Sequence, residues 1–176
     1  MGLDQLWAAW RNDYVVGATA QEREPSDQAC VFCSLAELEP AASNGVLVHQ
    51  TTSFAVLNAY PYGSGHSLIL PRRHVAKLGE LTENERHDLF GLLADLTEAI
   101  ELAYVPDGIN IGANLGRAAG AGIPAHLHLH ALPRWSGDTN FMTSIAETRV
   151  IPEGLETSWL KITQAFRNRE VPSDPV

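Results

Sequence analysis

His126-Leu127-His128-Leu129-His130-Ala131-Leu132 sets imidazoles and apolar groups in alternation, and the run continues as Pro133-Arg134-Trp135. A β-strand repeats every two residues. The pattern therefore predicts a strand with all three imidazoles on one face and Leu127, Leu129 and Ala131 on the other, packed on a core. Imidazole is the side chain that acts near neutral pH as nucleophile, proton carrier or metal ligand. Three of the chain's seven histidines on one strand face mark a candidate active site.

Outward from that strand, periodicity sorts the chain into elements. Gly108-Ile-Asn-Ile-Gly-Ala-Asn-Leu115 alternates as a strand whose glycines permit close backbone approach, and Gly116–Gly122 joins it to the histidines as a flexible loop. Val46–His49, Phe54–Leu57 and His66–Leu70 read as shorter strands. The last is stopped by Pro71 and preceded by the turn-rich Asn58-Ala-Tyr-Pro-Tyr-Gly-Ser-Gly65. Thr82 and Glu85 form a capping box ahead of a long helix, whose apolar face runs through Leu89, Leu92, Leu93, Leu96 and Ile100 to about Tyr104. Leu3, Leu6, Trp7, Trp10 and Tyr14 keep helical spacing at the start, with Trp7 and Trp10 as anchors. Pro152 opens a last helix through Trp159, Leu160, Ile162 and Phe166, before a frayed tail from Val171 to Val176.

This order predicts an α+β fold: an antiparallel sheet of about five strands, a long helix and terminal helices. The 176 residues are read as one domain, with a helix and loop over 1–29, a core over 30–145, and a helix and tail over 146–176. A net charge of −9 is unsuited to nucleic acid, while a small anionic substrate stays compatible if the cleft supplies N–H dipoles and a few cations. No apolar run approaches the ~20 residues of a membrane span. Met1–Leu6 matches neither a signal peptide nor a myristoylation site. The expected setting is the cytoplasm, with no nucleic-acid or membrane partner.

A single metal ion held by all three histidines requires a pronounced bend, since His130 lies roughly 13 Å from His126 along a strand. Gly108–Gly137 also contains no Asp or Glu to handle protons at a hydrolytic metal. A nucleophilic imidazole fits better. A neutral ring nitrogen attacks phosphorus and forms a phosphoramidate, splitting one displacement into two. The missing carboxylates leave its pKa unraised. His128 is the candidate nucleophile, with His130 beside it at a phosphate oxygen or leaving group. The Gly116–Gly122 loop, including Gly120 and Gly122, offers candidate backbone donors to phosphate.

The opening stretch resembles the His-x-His-x-His signature of the histidine triad nucleotide-binding proteins, with an apolar residue at each x. The resemblance covers roughly residues 30–145, including Gly65-His66-Ser-Leu-Ile-Leu-Pro-Arg-Arg-His74. Asn58-Ala-Tyr-Pro-Tyr62, Gly108-Ile-Asn-Ile-Gly-Ala-Asn-Leu-Gly116 and Pro133-Arg-Trp-Ser-Gly-Asp-Thr-Asn-Phe141 resemble the branch that contains bacterial diadenosine tetraphosphate phosphorylases. The resemblance implies a homodimer with a nucleotide pocket in each subunit, cleaving dinucleoside polyphosphates by phosphorolysis. By carry-over, His128 attacks the α-phosphorus and is transiently nucleotidylated. His130 contacts the phosphate, Asn58 the ribose hydroxyls, and Asn114 the bridging or leaving oxygens. Inorganic phosphate or water then releases the nucleotide. Many hydrolase-like members carry Gln four residues before the first triad histidine, where this chain has Gly122. The alternatives are a hydrolase of dinucleoside polyphosphates or nucleoside phosphoramidates, and a non-catalytic nucleotide-sensing module, which the intact His128 disfavours.

Cys30 and Cys33 alone supply too few ligands for zinc, and a structural disulfide does not persist in the cytosol. Free buried thiols and a redox pair are the other readings. Some histidine triad proteins complete a zinc set, and carry-over gives Cys30, Cys33, His74 and His126 as a closed structural site. His66 reads equally as a nucleotide contact or a structural hydrogen-bond partner. Arg117 and Arg134 read equally as phosphate counter-charges or ion-pair partners. Trp135, Phe54, Leu57 and Leu70 read as core, with base contact as the alternative. His49 and His87 are read as surface residues.

Overall fold

The computed structural model of the chain describes residues 30–138 and 153–169. The helix read over 3–14, the Pro152 helix start and the tail lie outside these residues. The described elements are α1 (Val31–Ala36), β1 (Val46–His49), β2 (Ser53–Leu57), β3 (Ser67–Pro71), α2 (Glu83–Tyr104), β4 (Gly108–Gly112), β5 (Leu129–Arg134) and α3 (Leu155–Arg169). Short 3-10 turns lie at Leu78–Glu80 and Arg117–Ala119. The strands form one antiparallel sheet in the order β1-β2-β3-β5-β4.

Alternation along the strands gives the sheet two apolar faces. Ala55, Leu57, Ile69, Leu129 and Ala131 point to one side, where Leu89, Leu92, Leu96 and Ile100 of α2 and Ile162 of α3 close the main core. Val46, Phe54, Val56, Leu68 and Leu70 point to the other, where Phe32 and Ala36 of α1 cover part of the surface. The uncovered remainder of that second face carries the histidines. α2 starts at the expected box: Thr82 Oγ1 accepts from the Glu85 N–H, and the Glu85 carboxylate accepts from the Thr82 N–H. At the β1 edge, Trp159 of α3 donates its indole N–H to the Val46 carbonyl at 2.7 Å.

The histidine run forms less strand than its alternation predicts. β5 begins at Leu129, so His126 and His128 precede the ladder. The Leu127 N–H is directed instead to the Val75 carbonyl at 2.6 Å, which ties the run to the segment after β3. The two-sided pattern survives, because Leu127, Leu129 and Ala131 all join the main core. Within the ladder His130 lies between Leu68 of β3 and Gly112 of β4. β4 ends at Gly112 rather than at Leu115, since its partner strand goes no further in register. α1 is an addition to the sequence reading, formed by the six residues that follow Cys30.

Candidate active site and metal-ligand cluster

Four side chains from three segments converge behind the triad. Cys30 caps α1 and Cys33 lies within it; His74 follows β3; His126 opens the histidine run. Cys30 Sγ lies 3.4 Å and Cys33 Sγ 3.6 Å from His126 Nδ1, and Cys33 Sγ lies 3.2 Å from His74 Nδ1. All four ligand atoms fall within 4.8 Å of one another. A tetrahedral zinc with ordinary Zn–S and Zn–N bonds has ligand–ligand edges of about 3.3–3.8 Å, so the set fits such an ion. His126 Nε2–H donates to the Pro71 carbonyl at 2.9 Å, which fixes its tautomer and aims the Nδ1 lone pair at the sulfurs. Burial and the Cys30 sulfur push the Cys33 thiol up, a cost that a cation bound beside its sulfur would offset. The segment leading to His74 is clamped on both sides. Arg72 donates to the Ala36 carbonyl at 3.0 Å, and Arg73 makes a paired contact with the Glu85 carboxylate, 2.7 Å on each arm. Arg73 holds the Glu85 carboxyl down to about 2.

In front of this cluster lies a cavity of about 390 Å³. Phe32 and Leu35 of α1, with Val56 and Leu68, form apolar walls; Asn58, Asn114, Gly120, Gly122, His128 and His130 supply the polar lining. Phe54 and Leu70 pack in the smaller core instead, so of the four residues weighed for base contact only Leu57 lines the cavity. Phe32, Val31 and Leu35 were missed as walls; the readable signal was their helical spacing just after the first cysteine.

Hydrogen-bond partners assign each imidazole a tautomer. His128 Nδ1 lies 2.8 Å from the His126 carbonyl, which only accepts, so Nδ1 carries the proton and the Nε2 lone pair is the open position. The His66 ring accepts at Nδ1 from the Tyr62 backbone N–H at 3.0 Å and therefore carries its proton on Nε2. That proton points to His130 Nδ1 at 2.9 Å. His130 in turn is protonated at Nε2, a buried atom without a hydrogen-bond partner among the described residues. Burial, then neighbouring His128, pushes the His130 pKa below its ordinary value, so the ring stays neutral. The outcome is a lone pair on His128 beside a donor on His130. No Asp or Glu is among the described residues that line the cavity, and none occurs in residues 50–79 or 108–137.

The remaining candidates fall as follows. His66 is 1% exposed, hydrogen-bonds to His130 and is not among the residues that line the cavity. Asn58 Oδ1 accepts from the Tyr60 N–H at 2.9 Å, which organises the turn over the cavity. The glycine loop is less open than expected. The N–H groups of Ala119, Gly120 and Ala121 bond back to Arg117 and Gly116 carbonyls around the 3-10 turn, so these three are not available to a ligand. Arg134 pairs with Asp138 and Asn110, and Trp135 packs edge-on against Tyr104. His87 is exposed, whereas His49 is partly buried and accepts from Arg72 at 3.0 Å.

An antiparallel sheet that brings imidazoles of β5 and the segment leading into it to one cavity, with a Cys/His set behind the first of them, defines a histidine triad architecture. The family model for the HIT domain matches residues 39–137, and the chain belongs to the HIT family. It is 36% identical over 153 residues to an AP-4-A phosphorylase of Mycobacterium tuberculosis, covering 86% of this chain and 78% of that one. Among solved structures it is similar to a Zn-bound histidine triad family protein from Mycobacterium smegmatis (TM-score 0.65, 26% identity, 81% of this chain and 96% of that one). It is also similar to a hypothetical histidine triad nucleotide-binding protein from Sulfolobus tokodaii (TM-score 0.63, 29% identity, 79% and 93%). Among the described residues no helix is long and apolar enough to cross a membrane.

Proposed function

We propose that the protein cleaves dinucleoside polyphosphates such as diadenosine tetraphosphate by nucleotidyl transfer, first to His128 and then to inorganic phosphate. The observation that carries this reading is the opposed pair of tautomers: a His128 nitrogen lone pair beside a His130 N–H in one cavity. His128 Nε2 attacks the α-phosphorus; the N–P bond forms as the bond to the bridging oxygen breaks, and the nucleoside triphosphate leaves. His130 Nε2–H donates to a phosphate oxygen, while Asn114 contacts the bridging or leaving oxygens and Asn58 the ribose. A phosphate oxygen then attacks the same phosphorus, the N–P bond breaks, and ADP is released. The named activity of the M. tuberculosis relative and the lack of Asp or Glu among the described residues that line the cavity favour this polyanionic substrate.

The reading extends to the rest of the molecule. Cys30, Cys33, His74 and His126 hold a structural zinc ion, whose chemistry when bound is to cross-link α1 to the triad. Reduced cysteine ligands suit the cytoplasm. Two copies pair through β4, an edge strand with exposed Ile111 and with exposed Leu115 just beyond it. Incubation with diadenosine tetraphosphate, with and without phosphate, tests the reaction: ADP and ATP appear only with phosphate, and His128→Ala abolishes both. AMP and ATP without phosphate would replace phosphorolysis by hydrolysis, and no turnover of any dinucleotide would leave a binding module.

A further inference from the structure

We infer that the turn Asn58–Gly65 provides a stacking platform for the second nucleoside of the substrate, with Tyr60 as its main surface. This rests on the dinucleoside reading above. A cavity of about 390 Å³ lies at the small end of ligand pockets. It accommodates one nucleoside and the reacting phosphate, not two nucleosides joined by a phosphate chain. The rest of the substrate must therefore lie outside it. In-line displacement directs the departing oxygen away from His128 Nε2, within a cavity that His130 also lines.

The aromatic surface next to His130 is Tyr62. Its ring is nearly parallel to the His130 imidazole, at 16° and 6.0 Å between centroids, and it also packs on His66 at 4.5 Å. Two residues earlier in the turn, Tyr60 borders the cavity at its rim, where it is 86% exposed. The Tyr60 backbone is held by its bond to Asn58 Oδ1 and is followed by Pro61, so the ring is presented from an ordered turn. Base-on-aromatic stacking tolerates any base, because every base offers a π-face. No Asp or Glu lies in residues 50–79 to repel the phosphates that lead to it, in a chain of net charge −9. Tyr62 is bound into the histidine network. Among the described residues that line the cavity, Tyr60 is the most exposed aromatic and offers the outgoing nucleoside a free ring face.

The test compares diadenosine tetraphosphate with adenosine 5′-tetraphosphate, which keeps the phosphates and lacks the second nucleoside. Tyr60→Ala raises KM for the dinucleotide by about tenfold, the scale of one stacked base. It leaves KM for adenosine 5′-tetraphosphate and the Kd for AMP unchanged, and Tyr60→Phe retains the wild-type preference. Equal losses for both substrates and for AMP would place Tyr60 in the first nucleoside's pocket and overturn the platform. So would unchanged KM values in Tyr60→Ala, or loss of the dimer in that variant by sedimentation with a matching fall in kcat for both substrates. If the wild-type protein binds AMP but never turns over the dinucleotide, the dinucleoside reading itself has failed, and the platform with it.

Discussion

Replacing His66 by Phe keeps an aromatic ring in a site that is 1% exposed, and removes both nitrogens. The Tyr62 N–H loses its acceptor and His130 Nδ1 loses its donor, at 3.0 and 2.9 Å respectively. His130 Nδ1 then needs its own proton to avoid an empty lone pair, and the tautomer that places it there turns the Nε2 lone pair toward the phosphate. A donor aimed at developing negative charge becomes an acceptor. Removing one oriented donor of that kind lowers kcat by about 10²–10³. Leaving a buried polar group unpaired costs about 1–3 kcal/mol of stability, or a fall in Tm of about 2–4 °C per kcal/mol at this chain length. The assay is steady-state turnover of diadenosine tetraphosphate with phosphate, alongside thermal unfolding. His66→Gln supplies the control, because its amide retains a donor for His130 and an acceptor for Tyr62. It should recover at least tenfold of the activity lost in His66→Phe, with KM little changed throughout. A folded His66→Phe protein whose kcat stays within threefold of wild type would refute the relay. A Gln variant as inactive as the Phe variant would reduce His66 to a packing role.

Two further outcomes follow from the same geometry. Stripping metal from the Cys30, Cys33, His74 and His126 set should weaken AMP binding about tenfold or more. The six-residue helix α1 carries two of these ligands together with the Phe32 wall, and burial of a Phe side chain is worth about 1.5–3 kcal/mol; calorimetry on protein shown by elemental analysis to be metal-free checks this, and unchanged affinity would refute it. Stability should fall as pH drops below about 6.5: burial, aided by His128 for His130 and by Arg72 for His49, pushes both pKa values down, so the unfolded chain takes up protons first. Glu85, held at about 2, titrates far lower, which leaves the window between pH 5 and 6.5 to the histidines; urea unfolding that is flat or strengthens across that window would contradict the assignment.

The legible parts of this protein were those with short-range periodicity. The capping box at Thr82, the apolar stripe of α2 and the strand β1 each match the expected bounds, because neighbouring residues alone determine them. The two-sided alternation of the triad also survives. Its ladder does not, since the Leu127 N–H is claimed by Val75, a residue more than fifty positions away in sequence. The spacing of Val31, Phe32 and Leu35 hinted at α1, but not that it would form a pocket wall. Six residues are too few to form a helix alone, and only packing on β2 and β3 gives them that shape.

By itself the sequence determined the kind of chemistry available: three alternating imidazoles, a cysteine pair, and long stretches free of acid. Local alternation also separated Leu127, Leu129 and Ala131 from the histidines. Tertiary structure decided the division of labour among identical side chains. His126 faces two sulfurs and His74; His128 is tied through Nδ1 to a carbonyl; His130 accepts a hydrogen bond from His66, 64 residues earlier. Which nitrogen of an imidazole carries its proton depends on the partner it meets: for His128 a carbonyl two residues before it, for His126 and His130 groups from α1, β3 and the turn before it, brought to one face by the sheet.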